Sequence, residues 1–272
     1  MNCRNKALIG FVGAGNMGSA IMKGIAKSDA LHRKVSVSAF DVMKDKLASL
    51  AEYGVTPLES AADVVKTCKY VFLAVKPQMM EEVLESLADE VSETTVFVSI
   101  AAGITDTFIQ KKTKNNAKVI LVMPNTPLLL GEGATALAKC EGVSDEEFEL
   151  VKTIFSSCGD IAVIDKSKMK EIIAVNSSSP AFIYLYAKGF IEYAKKVDID
   201  EKTALELFAK TLIGSAKMLT DSGYTVDELI KMVSSPGGTT LAGLDELYKG
   251  NLTDVVMNAC ESCTKRAYEL SK

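Results

Sequence analysis

The chain has 272 residues, 48% hydrophobic and 24% charged, a balance that excludes a disordered polypeptide and suits one large domain or two ordinary ones. Lys and Arg number 31 against 35 Asp and Glu, a formal charge of −4 without a basic block, which leaves no electrostatic case for nucleic acid as a partner. No apolar run approaches the ~20 residues of a membrane helix, and the run 7–12 is too short for a signal-peptide core, so a cytoplasmic protein without membrane contact is expected.

The first predicted strand, 7–12, leads through Gly13-Ala14-Gly15-Asn16-Met17-Gly18 into an amphipathic helix. Gly13, Gly15 and Gly18 have the G-x-G-x-x-G spacing of a dinucleotide fingerprint. The first permits a tight turn, the second lets backbone N–H groups approach a pyrophosphate, and the third lets the helix pack closely on the strand. The helix start adds unpaired donors, so the stretch from Gly13 to Gly18 is a candidate cofactor loop; a glycine turn without a ligand is the alternative. The single histidine, His32, follows in the polar connector Leu31-His32-Arg33-Lys34 and reads as a surface residue. Histidine-based nucleophilic catalysis and His-rich zinc sites are therefore not expected. The second strand, 35–40, ends at Asp41, 23 residues after Gly18. A carboxylate there accepts from ribose hydroxyls and repels a 2′-phosphate, which slightly favours NADH over NADPH. Lys44 and Lys46 are placed to pair with that phosphate, and Asp41 has the alternative role of a helix cap.

Further strands are predicted at 70–74, 96–99, 118–123, 134–139 and 161–165, most of them separated by helical patterns. Such alternation predicts a largely parallel sheet with helices on both faces, a Rossmann-type α/β domain over 1–165. Three strand ends carry marked loops: Ala74-Val75-Lys76-Pro77, Ala101-Ala102-Gly103-Ile104 and Pro124-Asn125-Thr126-Pro127. All lie at carboxyl ends of parallel strands, where this fold binds ligands. After 165 the rhythm changes. Ser177-Ser178-Ser179-Pro180 interrupts a helical pattern, with Pro180 suited to the first turn of a new helix. Helices at 181–196, 201–219, 226–232 and 253–270 follow without a strand, so 166–272 is expected to be all-helical. Phe182 to Tyr186 is apolar on every face, which predicts an obligate dimer covering this region. Cysteines stand at 3, 68, 140, 158, 260 and 263; only Cys260 and Cys263 have C-x-x-C spacing, with no second pair to complete a metal site. Reduced thiols and no bound metal are expected.

The helical region also carries Gly214-Ser215-Ala216-Lys217-Met218-Leu219 and Ser234-Ser235-Pro236-Gly237-Gly238-Thr239-Thr240. Together with Met123-Pro124-Asn125-Thr126-Pro127, these resemble the Δ1-pyrroline-5-carboxylate reductases, which make proline by reducing a cyclic imine with NAD(P)H. The resemblance runs from about Ile9 to the last helix. It implies a Rossmann domain followed by a helical domain that interleaves with a partner's, the dimers assembling into rings. It implies a cofactor cleft that includes Ala74, Val75, Lys76, Pro77 and Pro124, with Asn125 and Thr126 meeting its nicotinamide side and Ala102 and Gly103 letting the ring approach closely. Lys76 has the plain alternative of a solvated surface lysine. Ser235, Gly237, Gly238 and Thr239 would cradle the substrate carboxylate, and the Thr240 hydroxyl would meet the ring nitrogen as the catalytic contact. A turn capping a helix is the alternative for this loop. One departure stands out: Ser177 and Ser179 occupy positions where the family usually has glycine.

The chemistry suits the composition. A cyclic imine protonated on nitrogen is already an electrophile and needs no histidine base, whereas a hydroxy-acid dehydrogenase needs a base for the hydroxyl proton. A β-hydroxyacid dehydrogenase is the nearest rival, but its lysine and asparagine stand four residues apart on one helix face. Here Lys170 and Asn176 are six apart. A non-catalytic nucleotide-binding dimer is the rival of another class, and it leaves the Pro-Gly-Gly-Thr-Thr loop without a purpose.

Overall fold

The computed structural model describes residues 6–113 and 117–271, so Cys3 lies outside the described residues. Eight strands form one sheet: β1 (Ala7–Val12), β2 (Val35–Phe40), β3 (Thr56–Pro57), β4 (Tyr70–Leu73), β5 (Val96–Ser99), β6 (Lys118–Met123), β7 (Gly133–Lys139) and β8 (Gly159–Val163). Their order is β3-β2-β1-β4-β5-β6-β7-β8. Every pairing is parallel except β6 with β7, which run antiparallel. The strand order reverses between β1 and β4, the switch point at which open α/β sheets bind ligands. The two-residue edge strand β3 was not legible as a strand, and its Pro57 is tolerated because an edge need not donate outward.

Seven helices accompany the sheet: α1 (Asn16–Lys27), α2 (Asp29–His32), α3 (Lys44–Ala48), α4 (Ala61–Thr67), α5 (Met80–Leu87), α6 (Asp106–Lys112) and α7 (Asp145–Ser156). Alternation along each strand sends neighbouring side chains to opposite faces. Ile9, Phe11, Tyr70, Phe72, Val96 and Val98 pack on one face with α1, α2 and α7 residues such as Ile21, Leu31 and Phe155. Val71, Leu73, Phe97, Val119 and Leu121 pack on the other with α4, α5 and α6 residues such as Val64, Leu84 and Ile109. Phe11 and Phe72 stack across β1 and β4 with ring centroids 4.5 Å apart.

Five helices complete the chain: α8 (Ser179–Lys196), α9 (Glu201–Asp221), α10 (Val226–Met232), α11 (Thr239–Lys249) and α12 (Leu252–Leu270). The turn Ile173–Ser178 before α8 is a π-helix, a winding one residue wider than α, and Pro180 stands in the first turn of α8. Helix α11 was foreseen only as a helix start. The change of rhythm at 165 does not coincide with the compact units. One unit runs to Pro180 and also holds the chain from Ser262 onward; the second is Ala181–Glu261. The last turns of α12 therefore belong to the first unit.

The second unit has a distinctive economy of burial. Between 181 and 261 the only buried residue is Ala194. Phe190 and Phe208 stack at 4.2 Å and Tyr186 meets Phe190 edge-on at 5.1 Å, yet Tyr184 and Leu185 are 63% and 71% exposed. Isolated helices of this length are marginal in water without an apolar face buried against something. The thermal midpoint is therefore expected to rise with protein concentration, as for a fold completed by association. A midpoint independent of concentration, with a monomer in light scattering, would contradict it.

Candidate active site

The phosphate loop is fixed by close backbone approach. Gly13 has φ +105°, and a Cβ on it would stand 2.7 Å from the Ala74 carbonyl oxygen. A Cβ on Gly18 would stand 2.7 Å from the Gly13 carbonyl oxygen and 3.2 Å from Ala74 Cβ. Neither position admits a side chain. Gly15 differs: its φ is −68°, and a Cβ there would meet nothing within 4 Å. The fold does not need glycine at 15, and the space beside it stands open. Gly13, Gly18, Ala74 and Val75 are thus brought together as expected of the cofactor loop, where Val75 Cγ1 lies 3.2 Å from that same Gly13 position.

Two loop amides are already engaged. Gly13 N–H donates to the Phe40 carbonyl at 2.8 Å, and Ala14 N–H donates to Asp41 Oδ2 at 2.7 Å. The next amides are open. Helix α1 starts with Gly15 as its cap, no side-chain cap and no acidic residue in its first turn. Its first backbone bond from the loop is Ser19 N–H to Gly15 O at 2.8 Å, which leaves the amides of Asn16, Met17 and Gly18 without an intrahelical acceptor. This is the donor set a pyrophosphate requires, so the residues fit a bound dinucleotide.

Asp41 is buried at the end of β2. Burial pushes its carboxyl up, but the amides of Ala14 and Met43 and the Lys46 ammonium outweigh it and hold the group below its usual range. Met43 N–H donates to Oδ1 at 2.9 Å, and Lys46 Nζ lies 3.4 Å from both oxygens. Lys44 pairs instead with Glu59 at 3.1 Å. Asp41 thus braces the loop as well as closing the strand. A cavity of about 660 Å³ opens beside it, lined by Gly15, Asn16, Lys46 and Ser49 and continuing along α1 past Lys23 and Lys27.

The other strand-end loops have distinct roles. Lys76 is exposed and Pro77 opens a short 3₁₀ turn. Ala101 to Ile104 forms a turn with Gly103 at φ +80° and Ile104 N–H donating to the Ala101 carbonyl at 3.4 Å. Gly103 is buried, and its missing side chain would face the last turns of α12. Pro124 and Asn125 are buried, and Asn125 Oδ1 accepts from Ala134 N–H at 2.9 Å, fastening this loop to β7; Thr126 is exposed. Asn176, which the sequence singled out only for its spacing from Lys170, is buried in the π-helix, and its Nδ2 donates to the Met123 carbonyl at 2.6 Å. Lys170 Nζ sits over the Tyr268 ring at 4.3 Å. The two residues of the rival dehydrogenase pattern thus hold different partners. Nothing in composition or spacing signals the Asn176 bond, which depends on the wide π turn.

In the second unit, Ser235-Pro236-Gly237-Gly238 forms a turn with the residues and bond of type II: Pro at its second position, Gly237 at φ +73°, and Gly238 N–H donating to the Ser235 carbonyl at 2.9 Å. The Gly238 amide is therefore used within the turn, and Gly238 contributes conformation as the cap of α11. That helix, like α1, has no side-chain cap and nothing acidic in its first turn. Thr239 and Thr240 are exposed, and their amides precede the first intrahelical bond.

Comparison with known proteins places these features. Residues 166–270 match the model described as pyrroline-5-carboxylate reductase dimerisation, and 8–103 match that of NADP oxidoreductase, coenzyme F420-dependent. The pyrroline-5-carboxylate reductase of Methanosarcina acetivorans is 33% identical over 265 residues, 97% of this chain and 98% of that one. The chain belongs to the pyrroline-5-carboxylate reductase family. The Escherichia coli reductase is also 33% identical, over 97% of this chain and 98% of its own. A crystal structure of the Plasmodium falciparum pyrroline carboxylate reductase with NADP bound superposes at a TM-score of 0.88, with 27% identity and 99% of each chain covered. The Coxiella burnetii reductase gives 0.88 and 31%, over 98% of this chain and 100% of that one. The dimerisation match includes the whole second unit, where Ala194 alone is buried, and the chain self-associates as that family region does.

The three glycines separate fold from ligand. Gly15→Ala is expected to leave the thermal midpoint unchanged and to raise KM for NAD(P)H about 10-fold or more, because the amides can no longer close on the phosphates. Gly13→Ala is expected to lower the midpoint itself. Equal cofactor KM in Gly15→Ala and wild type would place the pyrophosphate elsewhere.

Proposed function

We infer that the chain reduces 1-pyrroline-5-carboxylate, a cyclic imine bearing a carboxylate, to proline with NAD(P)H. The observation that carries this reading is a pair of bare helix starts. Helices α1 and α11 each open on a glycine, without a side-chain cap or an early acidic residue. Each is an anion seat made of backbone amides, one suited to a pyrophosphate and the other to a carboxylate.

A dinucleotide held there would supply the hydride for the imine carbon. The chain's own part is to bind and align. Asn16 and Met17 hold the pyrophosphate with their amides, and Gly15 leaves room for it. The Thr239 and Thr240 amides hold the substrate carboxylate at the type II turn of Ser235, Gly237 and Gly238. The Thr240 hydroxyl hydrogen-bonds the ring nitrogen and fixes the orientation of the imine carbon. Protonation of the ring nitrogen makes that carbon electrophilic without a histidine. Asp41 favours NADH, since its ionised carboxylate accepts from ribose hydroxyls and opposes a 2′-phosphate. Dimers formed through 166–272 assemble further into a ring.

Turnover of NADH with pyrroline-5-carboxylate is the direct test, and its absence would overturn the reading. Thr240→Val keeps the branched shape and deletes the hydroxyl. It is expected to lower kcat/KM for the imine by roughly 10- to 100-fold, with cofactor affinity unchanged. Full turnover in this variant would make Thr240 a packing residue. Asp41→Ser is expected to raise KM for NADH about 10-fold and to improve NADPH relative to it, on the scale of one lost charged hydrogen bond. Equal effects on both cofactors would reduce Asp41 to a brace for Ala14.

A further inference from the structure

The turn at Ala101–Ile104 is held from behind by the C-terminal end of the chain. A Cβ on Gly103 would lie 3.4 Å from the Ala267 carbonyl oxygen and 3.5 Å from Leu270 Cβ. Ala267 is buried in the same apolar cluster as Ala101, Ile104, Phe108 and Met169. Leu270 also borders a cavity of about 160 Å³ with Pro77, Gln78, Ile104 and Phe108, so one leucine faces the same space as the loops that follow β4 and β5. The helix end that carries it is fastened on its other side. Tyr268 Oη donates to Glu171 Oε1 at 2.9 Å, and Lys170 Nζ lies over the Tyr268 ring at 4.3 Å. Ser271 closes the helix, its N–H donating to the Ala267 carbonyl at 3.0 Å and its hydroxyl to the Tyr268 backbone carbonyl at 2.8 Å.

The geometry points to Leu270 and Tyr268 as positioning residues for the nicotinamide end of the cofactor. Gly103 turns its bare face to α12, so Ala102, which packs on the cluster but keeps part of its surface accessible, is the turn residue placed to meet a ligand. Ala102 is half-buried, whereas Gly103 is covered. The turn's location is then set by the thickness of Leu270 behind it, and Leu270 is held at that depth by the Tyr268 clasp to Glu171 and Lys170. The inference rests on the proposed placement of the nicotinamide beside Ala102.

The test separates the two halves of the cofactor. KM and kcat for NADH with pyrroline-5-carboxylate are measured beside the inhibition constant of ADP-ribose, which lacks the nicotinamide. Leu270→Ala and Tyr268→Phe are expected to raise KM for NADH and lower kcat, with kcat/KM falling roughly 10-fold for Leu270→Ala, as for a reacting group displaced by a fraction of an ångström. ADP-ribose inhibition should stay at the wild-type value, and Lys170→Arg, which keeps a cation on the ring, should behave as wild type. Wild-type kinetics in both variants, or ADP-ribose binding weakened equally with that of NADH, would overturn the inference and leave α12 a packing element. Ala102→Leu tests the underlying placement. If it too leaves NADH kinetics unchanged, the turn does not meet the cofactor and both fall. If it impairs them while Leu270→Ala does not, only the role of α12 fails.

Discussion

The contact on which the nucleotide-binding unit depends is the approach of Gly13 to the carbonyl of Ala74. No side chain fits between them, and the positive φ of Gly13 turns the chain there so that α1 begins directly over the parting of the strands. Gly18 then lies against Gly13 with the same lack of clearance. Three backbone segments, from β1, α1 and the end of β4, are thereby locked at one point. Interiors this tightly packed do not deform gradually, so the open amides of α1 hold their aim before any ligand arrives. The brace from Asp41 to the Ala14 amide adds a charge-assisted bond to the same point.

Much of this was legible in the sequence because glycine and strand patterns encode backbone requirements directly. Seven of the strands follow from the sequence at or close to their observed limits; β1, β4, β5 and β6 do so as apolar runs, since a buried parallel strand is apolar on both faces. The two-residue β3 escaped because two residues carry no period. The antiparallel turn of β7 against β6 was also hidden: an apolar strand reads the same in either direction. At the site, the loop from Gly13 to Gly18 and the end of β2 at Asp41 were evident. The Asn176 bond to Met123 was not, because a π turn has no signature in residue type. The brace role of Asp41 was hidden for a related reason, as it depends on a loop amide 27 positions away.

Two turns in different units share one construction. Ala101-Ala102-Gly103-Ile104 and Ser235-Pro236-Gly237-Gly238 each place a left-handed glycine third and close with a bond from the fourth N–H to the first carbonyl. Their surroundings differ. The first is packed from behind by α12, while the second stands exposed on a unit that buries Ala194 alone. The packed turn belongs to the part of the chain with two cores, and the exposed one to helices that bury little of their own apolar surface. On the proposed function, a substrate seat at Thr239 and Thr240 would thus be coupled to self-association through folding itself.

The buried cysteines have a chemical consequence. Burial raises the Cys68 thiol to about 11 and that of Cys140 to about 12, and it raises Cys158 as well. A thiol with a pKa near 11 is ionised to about one part in ten thousand at neutral pH, and the thiolate is the reactive form. These three buried thiols are therefore poor nucleophiles as long as the sheet stays folded. Among the described residues, Cys260 and Cys263 are the partly exposed thiols, side by side on α12 at a spacing of three. Among the thiols of the described residues, a thiol-directed electrophile added to the folded protein therefore meets those of α12 first.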